Sequence, residues 1–348
     1  MEKKQCKKCK SNNVIKKGVK KRKFSISQRY KCKDCNSIFT LDSTKNKTYP
    51  ISLILKAIST YNIGYTLKEA SNIIESRNKT KIPISTVSSW TNEYKQICTF
   101  SRLRKQAIKQ YNPKNIIHKK SLSHIQSYNF KYHKAKLNIL INENPKFNSL
   151  KDYLEKINSK DFPHHIFTYN KNNNQSKRAS QLKFDHLKIS RVQKQNQANQ
   201  LAKLALNLAN SNKERHQAIQ DFLLINDSTT IAVEVPVYLT NWDAGYYRNQ
   251  NGFNFPLGDY QTPITGHMDV LQIRNGLMHI LDYKPDADKQ NPTEQLITYA
   301  LALSRKLNLP IRDFKCAWFD ESNYFEFYPL HVVYKKEVNG LSSAKHAV

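Results

Sequence analysis

The stretch that decides the fold is GHMDVLQIRNGLMHILDYKPDADKQNPTEQLITYA, residues 266–300. It holds most of two apolar runs, ITGHMDVLQI and LMHILDYK, each carrying one aspartate. Both read as β-strands, and NPTEQLITYALALSRKL beyond them reads as a helix starting beside Pro292. Side chains alternate along a strand. Thr265, His267, Asp269 and Leu271 therefore share one face of the first strand, and Ile280, Asp282 and Lys284 one face of the second. If the strands are neighbours, Asp269, Asp282 and Lys284 converge at one end of a sheet. Two carboxylates and the Tyr283 backbone carbonyl make an oxygen-rich site suited to Mg²⁺ or Mn²⁺. Such a metal is a Lewis acid that lowers the pKa of bound water, and a lysine beside it can position water and balance developing phosphate charge. Those are the needs of phosphodiester hydrolysis.

Working outward, RHQAIQDFLLI reads as an amphipathic helix, TTIAVEVPVYL as a strand, and FKCAWF and NYFEFYPL as two short strands. The order helix, three strands, helix, two strands predicts a mixed α/β domain. The series GHMDV…LDYK…QLITYA is similar to RecB-type nucleases of the PD-(D/E)XK superfamily. That family carries G-x-x-D on one strand, then D-Y-K, then Q-x-x-x-Y on a helix. Here these are Gly266 to Asp269, Asp282 to Lys284, and Gln295 with Tyr299, and the resemblance spans residues 214–330. It implies a metal site at Asp269, Asp282 and the Tyr283 carbonyl, a catalytic Lys284, and Gln295 and Tyr299 assisting substrate or site geometry. Gln295 and Tyr299 are four apart and so share a helical face. The family tends to place a histidine or glutamate on the preceding helix. His216 fits best, Glu214 is a rival, and Glu234 on the first strand is a third candidate. Pro285 stands where the family often has threonine. Some members hold a four-cysteine iron–sulfur cluster, but only Cys316 lies in this domain, so none is expected.

The 348-residue chain has a formal net charge of +30, unevenly spread. Residues 1–213 hold 45 Lys+Arg against 11 Asp+Glu, and residues 214–348 hold 12 against 16. A basic arm joined to a mildly acidic domain points to a polyanion partner, DNA above all, with RNA not separable from it. No apolar run approaches the ~20 residues a membrane span needs, so no membrane partner is expected. MEKKQCKKCK carries no signal-peptide-like apolar segment. The expectation is a cytoplasmic protein with reduced cysteines.

Cys6, Cys9, Cys32 and Cys35 form C-x2-C-x22-C-x2-C, the spacing of a four-thiolate structural Zn²⁺ site. With strand-like ends and a basic middle between the knuckles, this is a zinc ribbon pattern. Cys98 and Cys316 stand alone and read as core thiols. Lys20, Lys21, Arg22, Lys23 and Arg29, near Phe24 and Tyr30, suit phosphate contact plus stacking. Next, ISLILKAISTYNIG reads as a helix closed by Gly64. TLKEASNIIES reads as a second, with Thr66 and Glu69 as a capping box. ISTVSSWTNEYKQI reads as a third, with Ser85 or Thr86 as its cap. Three short helices read as a helix-turn-helix, with Ser85, Thr86, Ser88, Ser89 and Asn92 facing a DNA groove and Val87 and Trp90 packing inward. The segment CKKC…RYKCKDCNSIFT followed by STVSSW resembles the N-terminal zinc ribbon and helix-turn-helix of insertion-sequence transposases over residues 1–97. The three-acid catalytic domain of that family has no counterpart here.

Residues 98–212 read as a basic, mostly helical and loop-rich connecting region. KYHKAKLNILI, SLKDYLEKI and VQKQNQANQLAKLALNLAN read as helices, and YNKNNNQSK (169–177) as a low-complexity loop. His118, His124, His133, His164 and His165 lack metal spacing and read as solvated surface. The expected architecture is multidomain: a zinc ribbon (1–48), an all-α helix-turn-helix (49–97), the connecting region (98–212), a PD-(D/E)XK-like mixed sheet flanked by helices (213–335) and a tail (336–348). The expected function is a divalent-metal-dependent DNA nuclease. The alternative is a non-enzymatic DNA-binding regulator or mobile-element protein on a nuclease-like scaffold.

Overall fold

The computed structural model describes residues 5–22, 25–40, 47–168, 178–184, 192–251, 253 and 263–333. Lys23, Phe24, the loop 169–177 and the tail 336–348 lie outside them. The chain divides into two compact units, Met1–Tyr94 with Asn207–Asn210, and Lys95–Leu206 with Ser211–Val348.

In the first unit, β1 (Val14–Arg22), β2 (Ser25–Cys32) and β3 (Ile38–Thr40) form an antiparallel sheet in that order. Its register shifts between Lys16 and Val19, where Gly18 takes φ 66°, the backbone a bulge asks of glycine. The sheet has little core: Ile15, Val19, Ile26 and Ile38 are exposed, while Tyr30 stacks on Phe39. So small a sheet calls for a staple, which the cysteines can supply. Helices α1 (Ile51–Ile63), α2 (Leu67–Asn78) and α3 (Ile84–Tyr94) follow. Gly64 closes α1 at φ 126°, and the Thr66–Glu69 capping box opens α2 as expected. Ile54, Leu55, Ala57, Ala70, Ile74, Val87 and Trp90 bury their side chains. One expectation is corrected. Ser85 and Thr86 do not cap α3, because the helix already begins at Ile84 and the Pro83 carbonyl accepts from the Thr86 and Val87 amides.

The second unit contains α4 (Arg104–Gln110), β4 (Ile117–His124), β5 (Gln126–His133), α5 (Lys134–Glu143), α6 (Asn148–Lys156), β6 (Val192–Gln193) and α7 (Gln197–Ala205). It continues with α8 (Arg215–Asn226), β7 (Thr230–Leu239), α9 (Asn241–Asn251), β8 (Ile264–Arg274) and β9 (Leu277–Tyr283). It ends with α10 (Thr293–Leu307), β10 (Phe314–Phe319), β11 (Tyr324–Phe327) and α11 (Leu330–Val333). Among the described residues the strands make one eight-stranded sheet, order β4-β5-β7-β8-β9-β10-β11-β6. Every neighbouring pair is antiparallel except β9 and β10, which α10 joins by a crossover. The order helix, three strands, helix, two strands is present, with α9 added between β7 and β8.

The stretch read as a connector therefore contributes three strands to this sheet. KYHKAKLNILI is strand up to His133 and helix only from Lys134. Its first residues pair across the sheet, Lys131 with Val233 and Tyr132 with Ala232, which overrides their helical spacing. Likewise Val192 and Gln193 pair with β11 instead of joining α7. Cys98 and Cys316 are buried, as expected of core thiols. Among the described residues no helix is long and apolar enough to cross a membrane.

Candidate functional site

The site sits on three adjacent strands. Asn275 and Gly276, at φ 52° and 69°, make the tight turn between β8 and β9 and fix Arg274 opposite Leu277. Counting back, Val270 faces Leu281, and one step further places Asp269 opposite Asp282. On the other side Val233 pairs with Val270 and Val235 with Met268, so Glu234 lies across from Asp269. Three acids thus form a row across β7, β8 and β9. Glu234 holds φ 52° within its strand, a left-handed backbone that a bulky residue rarely adopts.

A cavity of ≈ 210 Å³ opens on this row, and Glu234, Asp269, Asp282 and Lys284 line it together. His216 from α8 and Gln295 and Tyr299 from α10 complete the same wall. The Lys284 ammonium lies 2.7 Å from Asp282 Oδ2. The Tyr283 amide donates to Asp269 Oδ2 at 3.0 Å, and the Tyr283 carbonyl meets His216 Nε2 at 3.0 Å. Gln220, one turn after His216, donates to Glu234 at 2.6 Å. Gln295 donates to the Tyr299 hydroxyl at 3.1 Å. The Tyr299 ring occupies the space over Gly266, where an added Cβ would fall 2.2 Å from Tyr299 Cε1. Glu214 is exposed and does not line the cavity.

Crowding acids into a buried row shifts their titration. Burial, then the Glu234 charge, pushes Asp269 up to about 6. Burial, then the Asp269 charge, pushes Asp282 up to about 7. Glu234 is raised by burial. Burial pulls the Lys284 ammonium down, but the Asp282 and Asp269 charges outweigh it and its pKa rises. Burial lowers His216, which favours the neutral imidazole. The carboxylates lining the cavity are those of Glu234, Asp269 and Asp282.

Several lining residues were not anticipated. Tyr128 from β5, with Arg178 and Ser180 from residues 178–184, also lines the cavity. Tyr128 stacks on His267 with centroids 3.5 Å apart and planes 6° off parallel, and the Arg178 guanidinium donates to the Tyr128 hydroxyl. Tyr128 and Arg178 carry no motif spacing to Asp269, so only the folded chain reveals them. His267 shares the predicted face of β8 with Asp269, and that alternation was its signal. The reading of the histidines as solvated surface is corrected: His124 and His133 are buried, His118 and His164 are partly so, and His165 is exposed. His124 contacts His267 at 2.9 Å through one ring nitrogen and His164 at 2.9 Å through the other. Imidazoles satisfying one another can be buried where lone ones could not.

In the first unit the cysteines meet. Their four Sγ atoms lie within 4.8 Å of one another, the one such group of three or more His, Cys, Asp or Glu among the described residues. Cys6 and Cys35 are 3.6 Å apart and Cys9 and Cys32 3.5 Å, close to the roughly 3.8 Å edge of a tetrahedron with 2.3 Å Zn–S bonds. The knuckle turns are tied by Cys6 N to Ser11 O at 2.8 Å and Cys32 N to Ser37 O at 2.9 Å. Backbone amides, that of Cys9 foremost, hold the Cys6 thiol down at about 6, so it is readily a thiolate. The geometry and donors are those of a structural zinc site. Lys20, Lys21 and Arg29 are exposed on β1 and β2, and Arg22 ends β1. Ser85, Ser89 and Asn92 are exposed on α3, with Thr86 and Ser88 half-buried, while Val87 and Trp90 face inward.

No protein-family model, curated protein or solved structure matches the chain. The class defined by fold and sites is a two-unit protein with a cysteine-cluster ribbon and a mixed α/β sheet.

Proposed function

We propose that the chain is a divalent-metal-dependent nuclease, brought to DNA by its zinc ribbon and helix-turn-helix. The observation that carries this reading is the meeting of Asp269, Asp282 and Lys284, residues of two different strands and a strand end, in one cavity. Asp269 and Asp282 would hold Mg²⁺ or Mn²⁺, with Glu234, His216 and the Tyr283 carbonyl adjacent. A bound divalent ion supplies Lewis-acid polarisation of the phosphate and a lowered water pKa. Lys284, held by Asp282, places a positive charge where phosphoryl charge grows. Tyr299 and Gln295 form a rigid wall that sets the substrate's approach. Lys20, Lys21, Arg22, Arg29 and the exposed face of α3 belong to the DNA-binding part of the reading, with Lys23 beyond the described residues.

The test is cleavage of plasmid, single-stranded DNA and single-stranded RNA with Mg²⁺ or Mn²⁺ added or omitted. Omission is preferable to chelation, because a chelator would also strip thiolate-bound zinc. Metal-dependent cutting that Asp282→Ala and Lys284→Ala reduce on the order of 100-fold or more is expected. The RNA arm decides the substrate class.

One observation favours the second reading, a non-enzymatic DNA-binding regulator. Asp282 Oδ2, Asp269 Oδ2 and the Tyr283 carbonyl each already have a protein partner, in Lys284, the Tyr283 amide and His216. DNA binding with no cutting under any cation would establish it.

A further inference from the structure

We infer that Arg178, in the lining of the carboxylate cavity, is the anchor for a phosphate of the polynucleotide flanking the one attacked. This rests on the nuclease reading and adds a substrate-binding group to it. Arg178 lines the same cavity as Asp269, Asp282 and Lys284. Among the described residues no carboxylate lies within ion-pair reach of it, although Glu234, Asp269 and Asp282 line the same cavity. Its guanidinium is held by the Tyr128 hydroxyl, a neutral acceptor that orients the group without neutralising it. A guanidinium that is aimed, half-buried and unneutralised is a group prepared for an anion.

The backbone is as constrained as the side chain. Arg178 bridges to Thr265 on β8, four residues before Asp269 on the same strand. The Gln181 side chain accepts from the Arg178 amide at 3.2 Å, and the Gln181 amide donates to the Arg178 carbonyl at 2.9 Å. Ala179 and Leu182 are buried in the core, which locks the turn in place. Tyr128 is fixed in turn by its parallel stack on His267. The cavity thus brings together acids, Lys284 and a guanidinium with no carboxylate partner among the described residues. A chain of phosphates running through it would place one at the carboxylates and a neighbour at Arg178. A bidentate arginine suits a phosphodiester, whose two free oxygens match the fork.

The experiment titrates the full chain with a 5′-phosphorylated thymidine dinucleotide by calorimetry, at physiological salt and with no Mg²⁺ or Mn²⁺ added. Wild type, Arg178→Ala, Arg178→Lys and Tyr128→Phe are compared, with thermal unfolding as the check of folding. Arg178→Ala is expected to weaken binding roughly 10- to 100-fold and Arg178→Lys to recover only part of it. Tyr128→Phe, which keeps the stack, is expected to stay within about threefold. Dinucleotide cleavage kinetics under Mg²⁺ should show Arg178→Ala raising KM more than it lowers kcat. Unchanged binding in Arg178→Ala, or an equal loss in Tyr128→Phe, overturns the proposal. Arginine-dependent binding in a protein that never cuts would uphold the anchor and sink the hydrolase, whereas cutting that ignores Arg178 would do the reverse.

Discussion

Gly266→Ala is a one-methyl test of the site. The new Cβ would sit 2.2 Å from Tyr299 Cε1 and 2.9 Å from Cζ and the hydroxyl, whereas ordinary contact begins near 3.4 Å. The ring must therefore retreat by more than an ångström. It has little room, since Tyr299 is 5 % exposed, sits on the buried face of α10 and is bonded by Gln295. Gly266 itself has no left-handed backbone, so the clash is the whole effect. Overpacking of this kind costs about 1–3 kcal/mol, and at about 2–4 °C per kcal/mol the melting temperature should fall by several degrees. A displacement near 1 Å beside the reacting groups lowers turnover on the order of 100-fold. Urea unfolding and metal-dependent cleavage would be measured for Gly266→Ala, Tyr299→Ala and the pair. Because the second change removes the obstacle, the pair should be more stable than additivity predicts by about 1 kcal/mol or more. Strict additivity, or a Gly266→Ala protein of normal stability and activity, refutes the packing argument.

Removing zinc, or Cys9→Ser, should unfold the three-stranded sheet, so hydrogen exchange accelerates in β1–β3 while β7–β9 stay protected, and elemental analysis should find one zinc per chain. Asp269 and Asp282 titrate upward from 3.8, to about 6 and about 7. The folded state therefore binds more protons than the unfolded one between about pH 4 and 7. Their stabilisation is present at acid pH and lost as pH rises through that window, a few kcal/mol in all. Urea titrations from pH 4 to 7.5 without added divalent ions should show this fall, and Asp282→Asn should flatten it. Glu234→Gly should be about 1 kcal/mol more stable than Glu234→Ala, since only glycine relaxes at φ 52°, and both should lose cleavage. A chain starting at Lys95 should bind DNA far more weakly and with a shallower salt dependence, yet cut bound DNA at a similar rate. Cutting after Ile97 instead would remove a carbonyl that accepts from Gln197 at 2.7 Å.

The candidate carboxylates were legible because strand alternation and a two-residue turn leave little freedom. Asn275-Gly276 fixes the β8–β9 register, and a slip of one residue would send Asp282 to the other face. Gln295 and Tyr299 were legible from helical spacing, and the cysteines from the knuckle repeat. The β4–β5 hairpin was not. Its residues HKKSLSHIQSYNFKYH are polar and basic, and Ile125 turns the chain at φ 52° where no glycine or asparagine announces it. Tyr128 reaches the cavity through the pairing of β5 with β7, about a hundred residues away, and Arg178 through its bridge to Thr265 on β8. Glu234 was visible as a residue but not as a face, because its left-handed backbone breaks the alternation that would have assigned one.

On the proposed reading, the charge asymmetry of the chain follows from the site's own electrostatics. Burial raises the pKa values of this row of three acids first, and the neighbouring acid charges, felt at short range with little water between, raise them further. The same field repels a phosphate approaching the cavity before a cation is in place. Lys284 offsets one charge of the three, that of Asp282, which it pairs. Attraction must then come from charge outside the acid row, and the sequence places it there, with 45 Lys+Arg against 11 Asp+Glu in residues 1–213. Arg178 lies at the C-terminal side of that basic stretch and, among the described residues, is its positive charge that lines the cavity. Affinity should therefore depend steeply on salt, while selectivity for a threaded phosphate chain should depend on one guanidinium.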